Sequence, residues 1–522
     1  MVASITNEKT GLLADEEAAG AHARPRRPVR DRGNSRWELF LALGIMTVAT
    51  LGCLRMATVG LTAVLGSQGR PGASGDSGRL DREMPDALDF VYEKHLGHLS
   101  PFFEPPSDPA SLRSGAPPGC TASRAFLVHR HGSRHPHEDE LAVIRDLADY
   151  IGKHRATFSR PETELPVAWS FLQKGWDADA FHVDDLTAPG RQQLFDHGVE
   201  LRLTLPDLHP GAGATAGDED RVIESARWFL AGYHGCTDWF DEAAAGDALD
   251  IIPEDEGFVS WITPHKACDA WDEGAGNTPT ETWGRVYLPP IAARVNDLLR
   301  EAYPRGANFT PAHVHGMFWA CAYGTAVLGP GASPWCGVFS PDEIRANEYE
   351  YDLRQRGFSG YGLPGDMGAV LGGLLVSNVT DFLTQDEGKG DGGEVQRLSL
   401  NFGHDKTLAF GLTALGLARD EEFPIEGPVD PHRRWRSARL VMFASYMLWK
   451  RLECSGGEDG AEGKHSRIQL VLNGANFGLG PTGCKVDKYG TCALDDFLGT
   501  ERVQAALNVT HGDARWEAAC EE

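Results

Sequence analysis

The first long apolar stretch of the chain runs over 37–66 and is broken by charge only at Glu38 and Arg55. A bilayer core takes about 20 apolar residues, so this stretch predicts one membrane-spanning helix, with Arg55 reaching toward one face. Beyond it the apolar residues fall into two other patterns. Short solid runs at 125–128, 397–402 and 467–473 read as buried strands. Segments 137–154, 192–203, 221–230 and 406–417 space their apolar residues helically, as Leu141, Ile144, Leu147 and Ile151 do. Strands alternating with helices predict an α/β fold, a mostly parallel sheet flanked by helices on both faces. The interval 241–391 is rich in tryptophan, glycine and proline, with helical pieces such as 291–302 and few strands. It reads as a mainly helical inserted cap, leaving 86–240 and 392–522 for the α/β domain. The glycine-, serine- and charge-rich segment 67–85 reads as a flexible stem.

Charge orients this arrangement. Residues 1–36 read as a disordered tail, and Arg24, Arg26, Arg27, Arg30, Arg32 and Arg36 crowd its end. Arginines on that side put the tail in the cytosol and the body outside, as in a single-pass type II signal-anchor. A cleaved signal peptide is the competing reading, with an unusually long charged region and apolar stretch. The glycosylation sequons at Asn308, Asn378 and Asn508 lie beyond the anchor, as a lumenal or extracellular body requires. So do nine of the ten cysteines, all but Cys53, and an oxidising compartment pairs most such cysteines. The net charge of −26 leaves no basic surplus for nucleic acid. A small phosphorylated molecule needs only a local cluster of arginines.

Such a cluster closes the first strand: Arg130-His131-Gly132-Ser133-Arg134-His135-Pro136. Charges at the end of a buried strand are costly unless an anion meets them. Guanidinium forks suit phosphate, and a histidine between two of them is a candidate nucleophile. The strand at 397–402 ends in the same way, with Gly403, His404 and Asp405 entering a helix. A helix N-terminus favours an anion, so His404 is a candidate phosphate ligand and Asp405 a candidate proton donor. Ligands of open α/β sheets gather at the carboxyl ends of strands, so both motifs are expected at one rim. The alternation of His129, His131, His135 and His137 invites a metal site, but the neighbouring arginines repel a cation.

The pattern Arg-His-Gly-x-Arg-x-Pro with His404-Asp405 resembles the histidine acid phosphatases, and among them the fungal-type phytases. Similarity runs from about His95 to Cys520 and includes Ser100-Pro101-Phe102-Phe103, Leu186-Thr187 with Gly190 and Gln193, and Gly483-Cys484-Lys485-Val486-Asp487. The resemblance implies hydrolysis of phosphomonoesters through a phosphohistidine on His131. Arg130, Arg134 and His404 would hold the phosphate, with Arg221 as a third arginine, and Asp405 would serve the leaving group. No metal or other cofactor is called for, since arginines supply the positive charge. The family's disulfides, laid on this chain, give Cys120–Cys454, Cys268–Cys520, Cys321–Cys336 and Cys484–Cys492, with Cys236 left over.

The substrate, phytate or another organic phosphate, stays open at this level. His137 stands where phytases often have threonine, and Arg354-Gln355 stands where many carry paired lysines. His137 and Arg354 are therefore possible substrate ligands. A phosphoglycerate-mutase-like phosphotransferase shares the Arg-His-Gly start. A non-catalytic membrane-anchored surface protein on the same scaffold is the remaining alternative, although both His131 and Asp405 are present.

Overall fold

The computed structural model describes residues 90–521 apart from 160–164, 209–212, 237–239, 241–248, 304–307, 386–395 and 456–463. The tail, anchor and stem expected over 1–36, 37–66 and 67–85 lie outside the described residues, as does Cys53.

The solid apolar run becomes the end of β1 (Cys120–Arg130), followed by α1 (Glu138–Lys153), α2 (Ala188–Thr204), β2 (Ala214–Gly217), α3 (Asp220–His234) and β3 (Leu249–Ile252). Helices α4 (Asn277–Ala302), α5 (Pro311–Leu328), α6 (Pro341–Ser359) and α7 (Met367–Thr384) come next. The chain then returns with β4 (Leu398–Gly403), α8 (Asp405–Ala414), β5 (Tyr446–Ser455), β6 (Lys464–Leu472), β7 (Ala475–Phe477) and β8 (Cys492–Ala493).

The eight strands form one sheet in the order β3-β2-β4-β1-β5-β6-β7, with β8 on β6. It is mixed rather than mostly parallel. The β3-β2-β4-β1 half is parallel. From β5 onward every pairing is antiparallel. Strands that follow one another without a crossover helix pair this way, and β5, β6 and β7 are consecutive in the chain.

Alternation along the strands divides the core. Ala125 and Leu127 of β1, with Leu400 and Phe402 of β4, pack under Leu194, Leu201, Val222 and Phe229 of α2 and α3. Phe126 and Val128 face the other way, onto Leu375 and Val379 of α7 and Leu408 and Leu412 of α8. A third core joins α1, α4, α5 and α6 into a helical layer, with Leu141, Ile144 and Leu147 against Val295, Val314 and Tyr323. This layer draws in α1 from before the expected insertion. Conversely β3 and α7, from within 241–391, belong to the sheet and its cover. Among the described residues α7 is long and apolar enough to cross a membrane, but it is mostly buried as a core helix.

Helix α4 begins well before the expected 291–302 and contains Pro289 and Pro290. A proline there removes an N–H and crowds the preceding turn. Buried Trp283, Tyr287 and Leu288 anchor the N-terminal half to the helical core, which offsets that cost.

All four expected disulfides form: Cys120–Cys454, Cys268–Cys520, Cys321–Cys336 and Cys484–Cys492. Cys236 is free and exposed. This bonding places the catalytic body in an oxidising, extracellular or lumenal compartment. Asn308 and Asn508 are exposed. Asn378 sits within α7, half-buried, and its side-chain amide donates to the Leu374 carbonyl at 2.8 Å.

Candidate active site

The two motif strands lie side by side. Arg130 pairs with Gly403 at the carboxyl ends of β1 and β4, and the His131 N–H donates to the Gly403 carbonyl at 3.0 Å. The rim expected from strand order is therefore built by direct backbone bonding. The turn after β1 is tight against α2. A Cβ on Gly132 would meet the Gly190 carbonyl oxygen at 2.5 Å, and one on Gly190 would meet that of Ser133 at 2.2 Å. Only glycine permits this approach.

His131 is buried, and its Nδ1–H donates to the Gly132 carbonyl at 2.9 Å. That bond fixes the tautomer and leaves Nε2 with its lone pair free. Burial pushes the imidazole well below its usual pKa, and the charges of Arg130, Arg221, His404 and Arg134 push it further. It is neutral, as a nucleophile must be.

Three arginines surround it, each oriented by protein oxygens. Arg130 donates through Nη1 to the carbonyls of His98 and Val441 at 2.5 and 2.6 Å, and its Nη2 lies 3.2 Å from Asp405 Oδ2. The guanidinium also lies over Phe443, 4.7 Å from the ring centre. Arg134 bonds Glu140 at 3.1 Å, and the same carboxylate accepts from the Tyr323 hydroxyl. Arg221, near the start of α3, bonds Asp184 at 2.8 Å and also Glu219. The Nε–H of all three arginines is buried without a hydrogen-bond partner among the described residues. All three line one cavity of about 450 Å3 with His131, His404 and Asp405.

His404 precedes α8, and its Nε2 lies 2.8 Å from Glu254, just beyond β3. Asp405 opens the helix, and its Oδ1 accepts from the Lys406 N–H at 2.8 Å. Burial raises the Asp405 pKa, but Arg130, His98, Lys406 and His404 outweigh it and hold the carboxyl below the usual carboxylate range.

His137 and Arg354 both line the cavity. His137 is 40% exposed and pairs through Nδ1 with Asp184 at 2.9 Å. Gln355 is buried and bonds Ser359 instead. The four alternating histidines do not converge, because β1 ends at Arg130 and the chain turns. His129 pairs with His197 on the α2 side, and His135 stacks on His182. Among the described residues Glu219, Glu254 and His404 bring ligand atoms within 4.8 Å of one another. Their carboxylates are already engaged, by Arg221 and by His404.

Several contributors carried no signal in the sequence. Asp184, Glu219 and Glu254 reach the site from loops, and His98, whose burial pushes its pKa down to about 3, lines the cavity floor. Lys266 and Lys406 add cations at the rim, held by Glu256 at 2.5 Å and Glu273 at 3.1 Å.

Comparison with known proteins agrees with this geometry. Residues 123–473 match the model of the histidine phosphatase superfamily (branch 2). A thiamine-repressible acid phosphatase of Schizosaccharomyces pombe is 27% identical over 460 residues, covering 83% of this chain and 92% of the relative. Phytase A of Arthroderma benhamiae is 27% identical over 456 residues, covering 82% and 92%. The crystal structure of the phytase from D. castellii superposes with a TM-score of 0.67 at 20% identity, covering 83% of this chain and 88% of that one. The chain belongs to branch 2 of the histidine phosphatase superfamily and is a phosphomonoester hydrolase.

Proposed function

We propose that the chain is an acid phosphatase working in two steps through His131. The observation that carries this is the set of three buried Nε–H donors, on Arg130, Arg134 and Arg221, that lack a hydrogen-bond partner among the described residues and lie around a neutral imidazole. Buried donors of this kind favour an anion rich in oxygens. His131 Nε2 attacks phosphorus as the ester oxygen leaves, and a phosphohistidine forms. The arginines and His404 carry the charge on the remaining oxygens, and such positioning supplies most of the catalysis in phosphoryl transfer. Asp405 gives its proton to the leaving oxygen, then takes one from the water that hydrolyses the phosphohistidine. The proton enters with the substrate: an ester phosphate has a second pKa of about 6, so it arrives below that pH as a monoanion. Acidic pH is therefore the working range.

A general monoester fits the rim better than phytate. Asp139, Glu219, Glu254 and Glu273 line the cavity beside its cations, and a densely phosphorylated ring would meet them. The relatives named for phytase activity keep phytate as the second reading.

The apolar stretch 37–66 with its preceding arginines supports a single-pass type II anchor, and Asn308 and Asn508 suit glycan attachment. Labelled substrate is the direct test of the mechanism. Wild-type protein quenched in alkali should carry label on histidine. His131→Ala should carry none and lose at least about a thousandfold in turnover; substantial residual hydrolysis would falsify the assignment.

A further inference from the structure

A second cavity, of about 150 Å3, lies between the sheet and α2, and none of the phosphate-site residues lines it. Tyr446, Leu448 and Lys450 alternate along β5 and face it together, with Leu127, Val471 and Phe229 as apolar walls. Lys450 is the anomaly. It is 8% exposed, and its side chain makes no ion pair or hydrogen bond with any described residue. Burial alone pushes its pKa down to about 8, with no acid offsetting it. Glu200 also lines the cavity, but it is raised by burial and Glu104, and Lys450 exerts no pull on it. Directly across the ladder, the Gln469 Oε1 is buried without a hydrogen-bond partner among the described residues.

A largely buried ammonium with no counter-charge is costly, and β5 places this one in a wall that is mainly apolar but also carries His129, His197, Glu200 and Asn476. We propose that the cavity binds a small ring-bearing monocarboxylate, its carboxylate on Lys450 and its ring against Leu127, Phe229 and Leu448. One ammonium balances one carboxylate. A phosphate dianion would need a second cation, and the cavity has none. Apolar cavities of about this size hold a benzene ring, so the volume matches the body of such an acid.

The probe is benzoate, titrated calorimetrically into the intact protein with inorganic phosphate present to occupy the arginine site. Wild-type protein should bind one equivalent. Lys450→Met should weaken binding by at least about tenfold, and phenol should bind both proteins alike. Thr204→Trp, at the exposed mouth on α2, should block benzoate and leave phosphatase turnover unchanged. That variant carries the test should Lys450→Met fail to fold. Equal benzoate affinity for wild type and Lys450→Met overturns the proposal. So does binding lost on adding phosphate, or none up to about 10 mM.

Discussion

Asp405 Oδ2 lies 3.2 Å from Arg130 Nη2, so the proposed proton donor and the proposed phosphate ligand are one electrostatic unit. With the site free of phosphate, Arg130 helps to keep Asp405 ionised against the opposing effect of burial. A bound phosphate draws on the same guanidinium and weakens its hold on the carboxylate. Burial then favours the protonated acid. In the proposed mechanism, substrate binding would itself arm Asp405 as the donor.

Asp405→Asn should therefore separate substrates by leaving group. A sugar phosphate, whose alkoxide leaves poorly, should lose about a hundredfold or more in kcat. p-Nitrophenyl phosphate, whose phenolate leaves unaided, should lose far less. Measuring kcat for both substrates at one acidic pH checks this. Equal losses would contradict the donor role.

Glu140 should govern acid stability. Burial raises its pKa, but Arg134, His137 and bonds from Tyr323 and the His137 N–H bring it to about 2 from an ordinary 4.5. Because the folded pKa is the lower one, its contribution is present above about pH 4.5 and lost as pH falls toward 2. The shift corresponds to about 3 kcal/mol. Glu140→Gln should melt well below wild type at pH 5, and the gap should close toward pH 2. Melting curves across that range read it out. A variant that tracks wild type at pH 5 would remove the basis for this role.

How far the site was legible followed how local each part is. Arg130, His131, His404 and Asp405 sit where a strand stops and a glycine turns the chain, a pattern visible in a few residues. Arg221 shows no such pattern. It reads as a surface charge on a helix until Asp184 and Glu219 are seen to hold it, and only family resemblance singled it out. Glu254 and Asp184 are single acids in loops, brought in by the folding of distant strands. In the fold, β5 carries no clear strand pattern because Trp449-Lys450-Arg451-Leu452-Glu453 breaks the apolar alternation. The antiparallel half of the sheet, which β5 begins, is therefore not legible in the local sequence. The local sequence likewise shows a helix only over 291–302, just after Pro289-Pro290, because the tertiary packing that sustains the first half of α4 is not in it.

The Cys120–Cys454 bond should matter for stability and little for catalysis. It joins residues 334 apart in sequence, and such a bond contributes about 2–5 kcal/mol, chiefly by restricting the unfolded chain. It lies at the start of β1, and Arg130 ends the strand about 33 Å away at the usual rise per residue. The double variant Cys120→Ala/Cys454→Ala should melt at a clearly lower temperature and keep kcat/KM within about twofold at 25 °C. Thermal melts paired with assays on the folded fraction separate the two effects.

Glu273 should set the preference between lightly and densely phosphorylated substrates. It bonds Lys406 at 3.1 Å, and its pKa is lowered mainly by Lys406, with Arg354 and His137 adding to the effect against burial. Lys406 and Arg354 are cations a second or third phosphate on the substrate would seek, and the carboxylate lies among them. Glu273→Gln should raise kcat/KM for phytate by about twofold to fivefold, the scale of one partly exposed charge pair. p-Nitrophenyl phosphate, which does not reach the rim, should change by less than about twofold. Protonation mimics the substitution. Because the Glu273 pKa is depressed, the carboxylate stays ionised at mildly acidic pH and neutralises only lower down. The wild-type ratio of phytate to monoester activity should thus rise as pH falls, while in Glu273→Gln that rise should flatten. A ratio unchanged by the substitution at every pH would return rim selectivity to Lys266 and Arg354 alone.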